Sequence, residues 1–99
     1  MSLKCIVDGK KIRNKRALHL LLKKDLNLSD YYGNNLDALW DEISSSIRER
    51  EIIVRNQEDL IENLGEYGKR FMTVLYDLDK SVSNFDFKME KGRGFYGAY

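Results

Sequence analysis

Apolar and polar positions along the chain mark out seven segments. Leu3–Asp8 is short and mostly apolar, and Asp8-Gly9 closes it, which predicts a first strand ending in a turn. Asn14 is placed to cap a helix running from about Lys15 to Leu26, where Leu18, Leu21 and Leu22 recur at helical spacing. Residues 27–35, with Ser29, Asp30, Gly33 and Asn34, read as a connector. Asn35 then caps a second helix, in which Leu36, Leu39, Trp40, Ile43 and Ile47 fall at i, i+3, i+4, i+7 and i+11. The β-branched run Ile52-Ile53-Val54 predicts a buried strand. Asn56 is placed to cap a short third helix, Gln57 to about Asn63, with Gly65 as its stop. A fourth helix is expected after Gly68, with Phe71, Leu75 and Leu78 on one face and Asp77 and Asp79 turned elsewhere. Phe85, Phe87 and Met89 alternate with Asp86 and Lys88, the signature of a last strand. Strands separated by helical segments predict a small parallel sheet covered by helices, an α/β domain.

Composition narrows the class. The 99 residues make one domain, and enough Leu, Ile and aromatic side chains are present to offset the entropy cost of folding. No apolar run approaches the ~20 residues that cross a bilayer. The start meets Asp8 and Gly9 before a signal-peptide core could form. The single cysteine excludes an internal disulfide and a zinc site of several thiolates. A cytoplasmic protein is the expectation.

Charge is unevenly spread under a net value of +1. Residues 1–24 carry eight Lys and Arg against one acid, Asp8, a net of +7. Residues 25–47 carry Asp25, Asp30, Asp37, Asp41 and Glu42 with no Lys or Arg, a net of −5. The middle of the chain is therefore where an electropositive partner would dock.

Candidate chemistry is sparse. His19, the sole histidine, sits in the Leu-rich first helix with no Cys or Ser beside it in sequence, which favours a structural or surface role. Cys5 lies in the first strand, where a thiol packs as a small hydrophobe. No glycine pattern matches a dinucleotide fingerprint or a P-loop, so no cofactor and no metal is expected. Catalysis by Asp37 and Asp41 would need one of them buried, whereas both lie at the start of a helix next to a polar loop. The chain does not read as an enzyme.

The same pair suits binding. With Asp37 at zero on a helical wheel, Asp41 lies at about 40° and the apolar stripe centres near about 250°. Both carboxylates thus project from the face opposite the core. Asp37 also occupies the first turn, where the helix dipole favours negative charge. In front of it stand Tyr31 and Tyr32, a pair rich in apolar area and hydroxyls of the kind favoured at interfaces. Gly33 allows close backbone approach or a positive φ. An aromatic loop feeding an acidic helix fits a cationic cleft of the kind that binds nucleic-acid phosphates, where Asp37 and Asp41 could accept bidentate Arg hydrogen bonds.

The run YYGNNLDALWD, residues 31–41, resembles the signature segment of the barstar family, intracellular inhibitors of barnase-type ribonucleases. Ile12-Arg13, Leu18-His19 and Leu22-Lys23-Lys24 fall in the same order and spacing before it. The resemblance implies a three-stranded parallel sheet packed with four helices over residues 1–89; residues 90–99 are additional to it, a tail or an extra edge strand. It implies that the second helix and its loop plug the active-site cleft of a guanyl-specific ribonuclease. The contacts would be Tyr31, Gly33 and Asn35 from the loop and Asp37, Trp40 and Asp41 from the helix. Tyr31 would pack by the enzyme's catalytic histidine, Asp41 would enter its phosphate pocket, and Asp37 would meet basic groups on the rim. Trp40 lies between core and surface on the wheel. A further acid on the fourth helix is expected, Asp77 in preference to Asp79. Family inhibitors are strongly acidic, so the near-neutral charge here weakens long-range steering. Asn34 stands where the type member has an acid, and Ser46 where it has a large aromatic late in the second helix.

Two other readings stay open at this level. One is a barstar-fold adaptor with a target other than a ribonuclease. The other is nucleic-acid binding through Lys10, Lys11, Arg13, Lys15 and Arg16, disfavoured because no aromatics interleave there. No membrane association is expected, and the free protein is expected to be a monomer.

Overall fold

A computed structural model describes residues 3–90. The chain runs β1 (Leu3–Asp8), α1 (Lys15–Asp25), α2 (Leu36–Ser44), β2 (Arg50–Arg55), α3 (Gln57–Leu64), α4 (Glu66–Ser81) and β3 (Phe85–Glu90). The strands form one parallel sheet in the order β1-β2-β3. Leu3 aligns with Arg50 and Arg50 with Phe85, and the register holds to Asp8, Arg55 and Glu90. The molecule is the three-stranded parallel α/β domain with four helices that the sequence predicts. Its first and last strands and the starts of its first three helices fall where the periodicity puts them. The expected tail loses its first residue to β3, since Glu90 pairs with Arg55; residues 91–99 lie outside those described.

The helices cover one face of the sheet. Cys5, Val7, Ile52, Val54 and Phe85 point into it and join Leu18, Leu22, Leu39, Phe71, Leu75 and Leu78 in one buried core. Residues of the other parity face outward: Lys4, Ile6, Glu51, Ile53, Asp86 and Lys88 are exposed or half-buried. Ile53 is therefore only half-buried, although it sits in the run expected to be buried throughout. A parallel sheet is usually covered on both faces. This one instead dresses its bare face with ion pairs, Lys88 Nζ to Glu51 Oε2 at 2.9 Å and Arg55 to Glu90.

Three local expectations fail for identifiable reasons. The second helix stops at Ser44, and Ile47, expected on its apolar stripe, is 93% exposed. Ser44-Ser45-Ser46 offers hydroxyls that compete with the helix ladder, and Ser45 caps the end by donating from its amide and its Oγ to the Asp41 carbonyl. Ser46 accordingly lies beyond the helix. Asn56 does not cap α3 through its side chain. Its backbone is left-handed (φ 52°), and its amide donates to Asp8 Oδ1 at 2.8 Å, tying the ends of β1 and β2 together. α4 begins at Glu66, ahead of Gly68. Gly68 is buried in the first turn, where a Cβ would come within 3.2 Å of the Ile61 Cα and the Leu60 carbonyl. It is a close-packing glycine, and Gly65 (φ 62°) is the break between α3 and α4. Arg50, at the start of β2, is 5% exposed, and its Nε donates to the Leu26 carbonyl at 3.0 Å.

Candidate functional site

The connector between α1 and α2 is built from both ends. Asn27 adopts φ 53° beyond the end of α1, Leu28 N donates to the Lys23 carbonyl at 3.0 Å and Asn27 N to the Lys24 carbonyl at 3.4 Å. This left-handed cap turns the chain away from the helix and drives Leu28 into the core. Ser29 is then held by α2: its amide donates to Glu42 Oε1 at 3.1 Å and its hydroxyl to Glu42 Oε2. At the other end, Asn35 caps α2 as expected, its Oδ1 accepting from Ala38 N at 2.8 Å and its Nδ2 donating to the Gly33 carbonyl at 3.2 Å. The left-handed residue in this turn is Asn34 (φ 56°), not Gly33. Gly33 instead leaves space: a Cβ there would lie 3.3 Å from Asn35 Nδ2 and 3.5 Å from the Ala38 side chain.

The two tyrosines part company. Tyr31 is 95% exposed, whereas Tyr32 is 6% exposed and belongs to the core. Tyr32 is anchored by His19, whose Nδ1 lies 2.6 Å from its hydroxyl, while His19 Nε2 lies 2.7 Å from the hydroxyl of Tyr67 on α4. A neutral imidazole supplies one donor and one acceptor, which matches two hydroxyls. Burial, with a smaller contribution from the Lys15 charge, pulls the His19 pKa down to about 4 and keeps the ring neutral. The sole histidine is thus a structural bridge that pins the base of the connector to α1 and α4.

On the outer side of α2, Asp37 and Asp41 are exposed, about 40° apart around the axis and away from buried Leu36, Leu39 and Ile43. Neither pairs with a cation among the described residues. The five acids of the middle stretch therefore have different fates. Glu42 ties down Ser29, Asp25 lies 3.9 Å from Lys24 Nζ, and Asp30, Asp37 and Asp41 reach the surface unpaired among those residues. Trp40 is half-buried against the core, between the two sides as the wheel places it. On α4, Asp79 is occupied, its Oδ1 accepting from Phe87 N at 3.2 Å on the β3 side. Asp77 is exposed and lies about 160° around the helix from Asp79, away from β3. The structure thus brings Tyr31, Gly33, Asn35, Asp37 and Asp41 onto one continuous loop and helix surface, with Trp40 at its edge and Asp77 on a neighbouring helix.

Sequence reasoning missed the residues that hold this surface in place. Along the chain Glu42 reads only as charge, Tyr32 reads together with Tyr31, and Tyr67 carries no local signal. His19 and Tyr67 are 48 positions apart, and no local pattern links them. Cys5 is buried, and burial raises its thiol to about 12, so it packs as a hydrophobe. Among the described residues no three His, Cys, Asp or Glu side chains gather as a metal site would require. No helix among them is long and apolar enough to cross a membrane. What the surface offers is shape, hydrogen-bond acceptors and negative charge.

A family model described as Barstar (barnase inhibitor) matches residues 3–95. The chain belongs to the barstar family. Among curated proteins it is similar to the Bacillus subtilis (strain 168) protein named "Putative ribonuclease inhibitor YrdF", at 33% identity over 87 residues. That match covers 87% of this chain and 94% of the relative.

Proposed function

We propose that the protein inhibits a barnase-like, guanyl-specific ribonuclease by inserting α2 and its preceding loop into the active-site cleft. The observation that carries this reading is the outward pair Asp37 and Asp41, unpaired among the described residues, beside fully exposed Tyr31. A ribonuclease cleft is built to hold phosphates with Arg, Lys and His. Carboxylates on a rigid helix can take the places of those phosphates and accept the same charge-assisted hydrogen bonds. Asp41 enters the phosphate pocket, Asp37 meets the cationic rim, and Tyr31 covers the catalytic histidine. Gly33 lets the enzyme approach the backbone closely. Asn35 spends both ends of its amide holding the loop, so its contribution is chiefly to shape. Trp40 and Asp77 complete the edge.

Pre-organisation supports this mechanism. The cap at Asn35, the Ser29–Glu42 clasp and the His19–Tyr32–Tyr67 bridge order the loop before binding, so association does not carry that entropic cost. The protein acts as a monomeric cytoplasmic antitoxin or immunity protein, occluding the enzyme sterically and without chemistry of its own. Titration into a barnase-type ribonuclease assay tests the reading. Stoichiometric inhibition, abolished by Asp41→Ala at an unchanged melting temperature, is the expected result. Full ribonuclease activity at a molar excess of the protein would refute it.

A further inference from the structure

We propose that Lys15, Arg16 and Arg70 form a basic shoulder beside the acidic face of α2 that selects the target by the charge of the rim next to its cationic pocket. Outside the basic groups that meet Asp37, a flank bearing carboxylates is favoured and a flank of lysine and arginine is disfavoured. This deepens the inhibitor reading and rests on it.

The shoulder is assembled around Tyr67. The Lys15 ammonium lies 4.8 Å from the centroid of the Tyr67 ring, whose hydroxyl reaches His19 at 2.7 Å. Arg16 precedes His19 by three positions on α1, and Arg70 follows Tyr67 by three on α4, so each shares a flank with its member of the pair. All three cations are exposed and pair with no acid among the described residues. Lys69, next to Arg70 on α4, differs in lying 3.6 Å from Glu66.

Apart from the contact of Lys15 with the Tyr67 ring, the fold gives these charges no ion pair among the described residues. Lys15 and Arg16 stand in the first turn of α1, which holds no acid and whose helix dipole is already positive there. Tyr67 also marks the junction with the acidic face. Burial raises its hydroxyl most, the charge of Arg70 pulls it down, and that of Asp37 pushes it up, so both charges act on one ring. Through His19, Tyr67 is tied to Tyr32, next to exposed Tyr31, so a partner seated on this loop and α2 meets the positive charge of the shoulder beside it. The chain carries a net charge of only +1, so no large negative field masks that local repulsion. Carboxylates beside the cationic pocket of the target complement the pattern.

Charge reversal tests this with a barnase-type guanyl-specific ribonuclease whose rim is rich in lysine and arginine. Association is followed by stopped flow for the double variants Lys15→Glu/Arg70→Glu and Lys4→Glu/Lys80→Glu. Both change the net charge equally, and both remove one exposed lysine from a tyrosine ring, since Lys80 Nζ lies 4.5 Å from that of Tyr76. The shoulder variant is expected to associate about tenfold faster than the control at low salt, with the difference vanishing near ~0.5 M. Equal rates for the two variants, or failure of both to bind, overturn the shoulder. Adding Asp41→Ala to the shoulder variant separates the two ideas. An affinity unchanged by it refutes the inhibitor reading, whereas affinity lowered by it with equal reversal rates refutes the shoulder alone.

Discussion

On one side of residues 27–44 lie Leu28, Tyr32, Leu36, Leu39 and Ile43, all buried; on the other lie Asp30, Tyr31, Asp37 and Asp41, all exposed. The two sides interleave along one backbone. The inner side is held by packing and by the His19 bridge, whereas the outer side is almost free of internal partners. A fold that needed Asp37 or Asp41 would have given them cations; it spends Glu42 and Asp79 on its own hydrogen bonds instead. On the proposed function, substitutions on the inner side of this segment should report on stability and those on the outer side on recognition.

The largest effect is expected on the outer side. Asp41→Ala should lower affinity for the target ribonuclease by roughly 10²- to 10³-fold, the scale of breaking a desolvated ion pair. Its melting temperature should stay within a few degrees of the parent. A melting point that collapses would place Asp41 among the structural residues and erase the contrast.

Leu39→Ala strikes the inner side of the same turn. Leu39 is fully buried, so its truncation should cost on the order of 3 kcal/mol, lowering the melting temperature by roughly 15 °C in a domain of this size. Calorimetry reads the loss, and the folded fraction should still inhibit stoichiometrically at low temperature.

Acid sharpens the comparison further. Unfolding frees His19 from a pKa of about 4 to its ordinary value near 6.5, so the unfolded chain binds the extra proton between those values. Stability therefore falls as pH drops from about 6.5 towards 4, by on the order of 2–3 kcal/mol from this group. In His19→Gln that part of the pH dependence should disappear. Melting curves at a series of pH values for both proteins give the difference, and identical slopes would show that the bridge is not what acid breaks.

Trp40→Phe probes the boundary between the sides. Because Trp40 is half-buried against the core, the change should lower stability by about 1 kcal/mol and affinity by less than about threefold. A larger fall in affinity than in stability would move Trp40 wholly to the outer side.

Much of this was legible along the chain. The spacing of Leu36, Leu39 and Ile43 turns the aspartates outward whatever surrounds them, because helical geometry fixes the angle between residues four apart. Asn14 and Asn35 cap as their residue type and position predict. Ile47 misled because periodicity extends through any apolar residue at the right spacing, while the serines before it end the helix. Asn56 misled because its amide found Asp8, 48 positions away. The repeated tyrosine gave no hint that Tyr31 and Tyr32 face opposite ways.

By itself, then, the order of residues determined the seven elements, the parallel α/β arrangement and the outward direction of the acids on α2. These follow from interactions within one or two turns or between adjacent strands. Only the tertiary structure decided which charges remain free, which tyrosine is buried and what fixes the loop. Those outcomes depend on partners brought together by folding: His19 with Tyr67, Ser29 with Glu42, Arg50 with the Leu26 carbonyl and Lys15 with the Tyr67 ring. A side chain's desolvation and hydrogen bonding are set by whatever lies across from it in space, and sequence spacing carries no record of that.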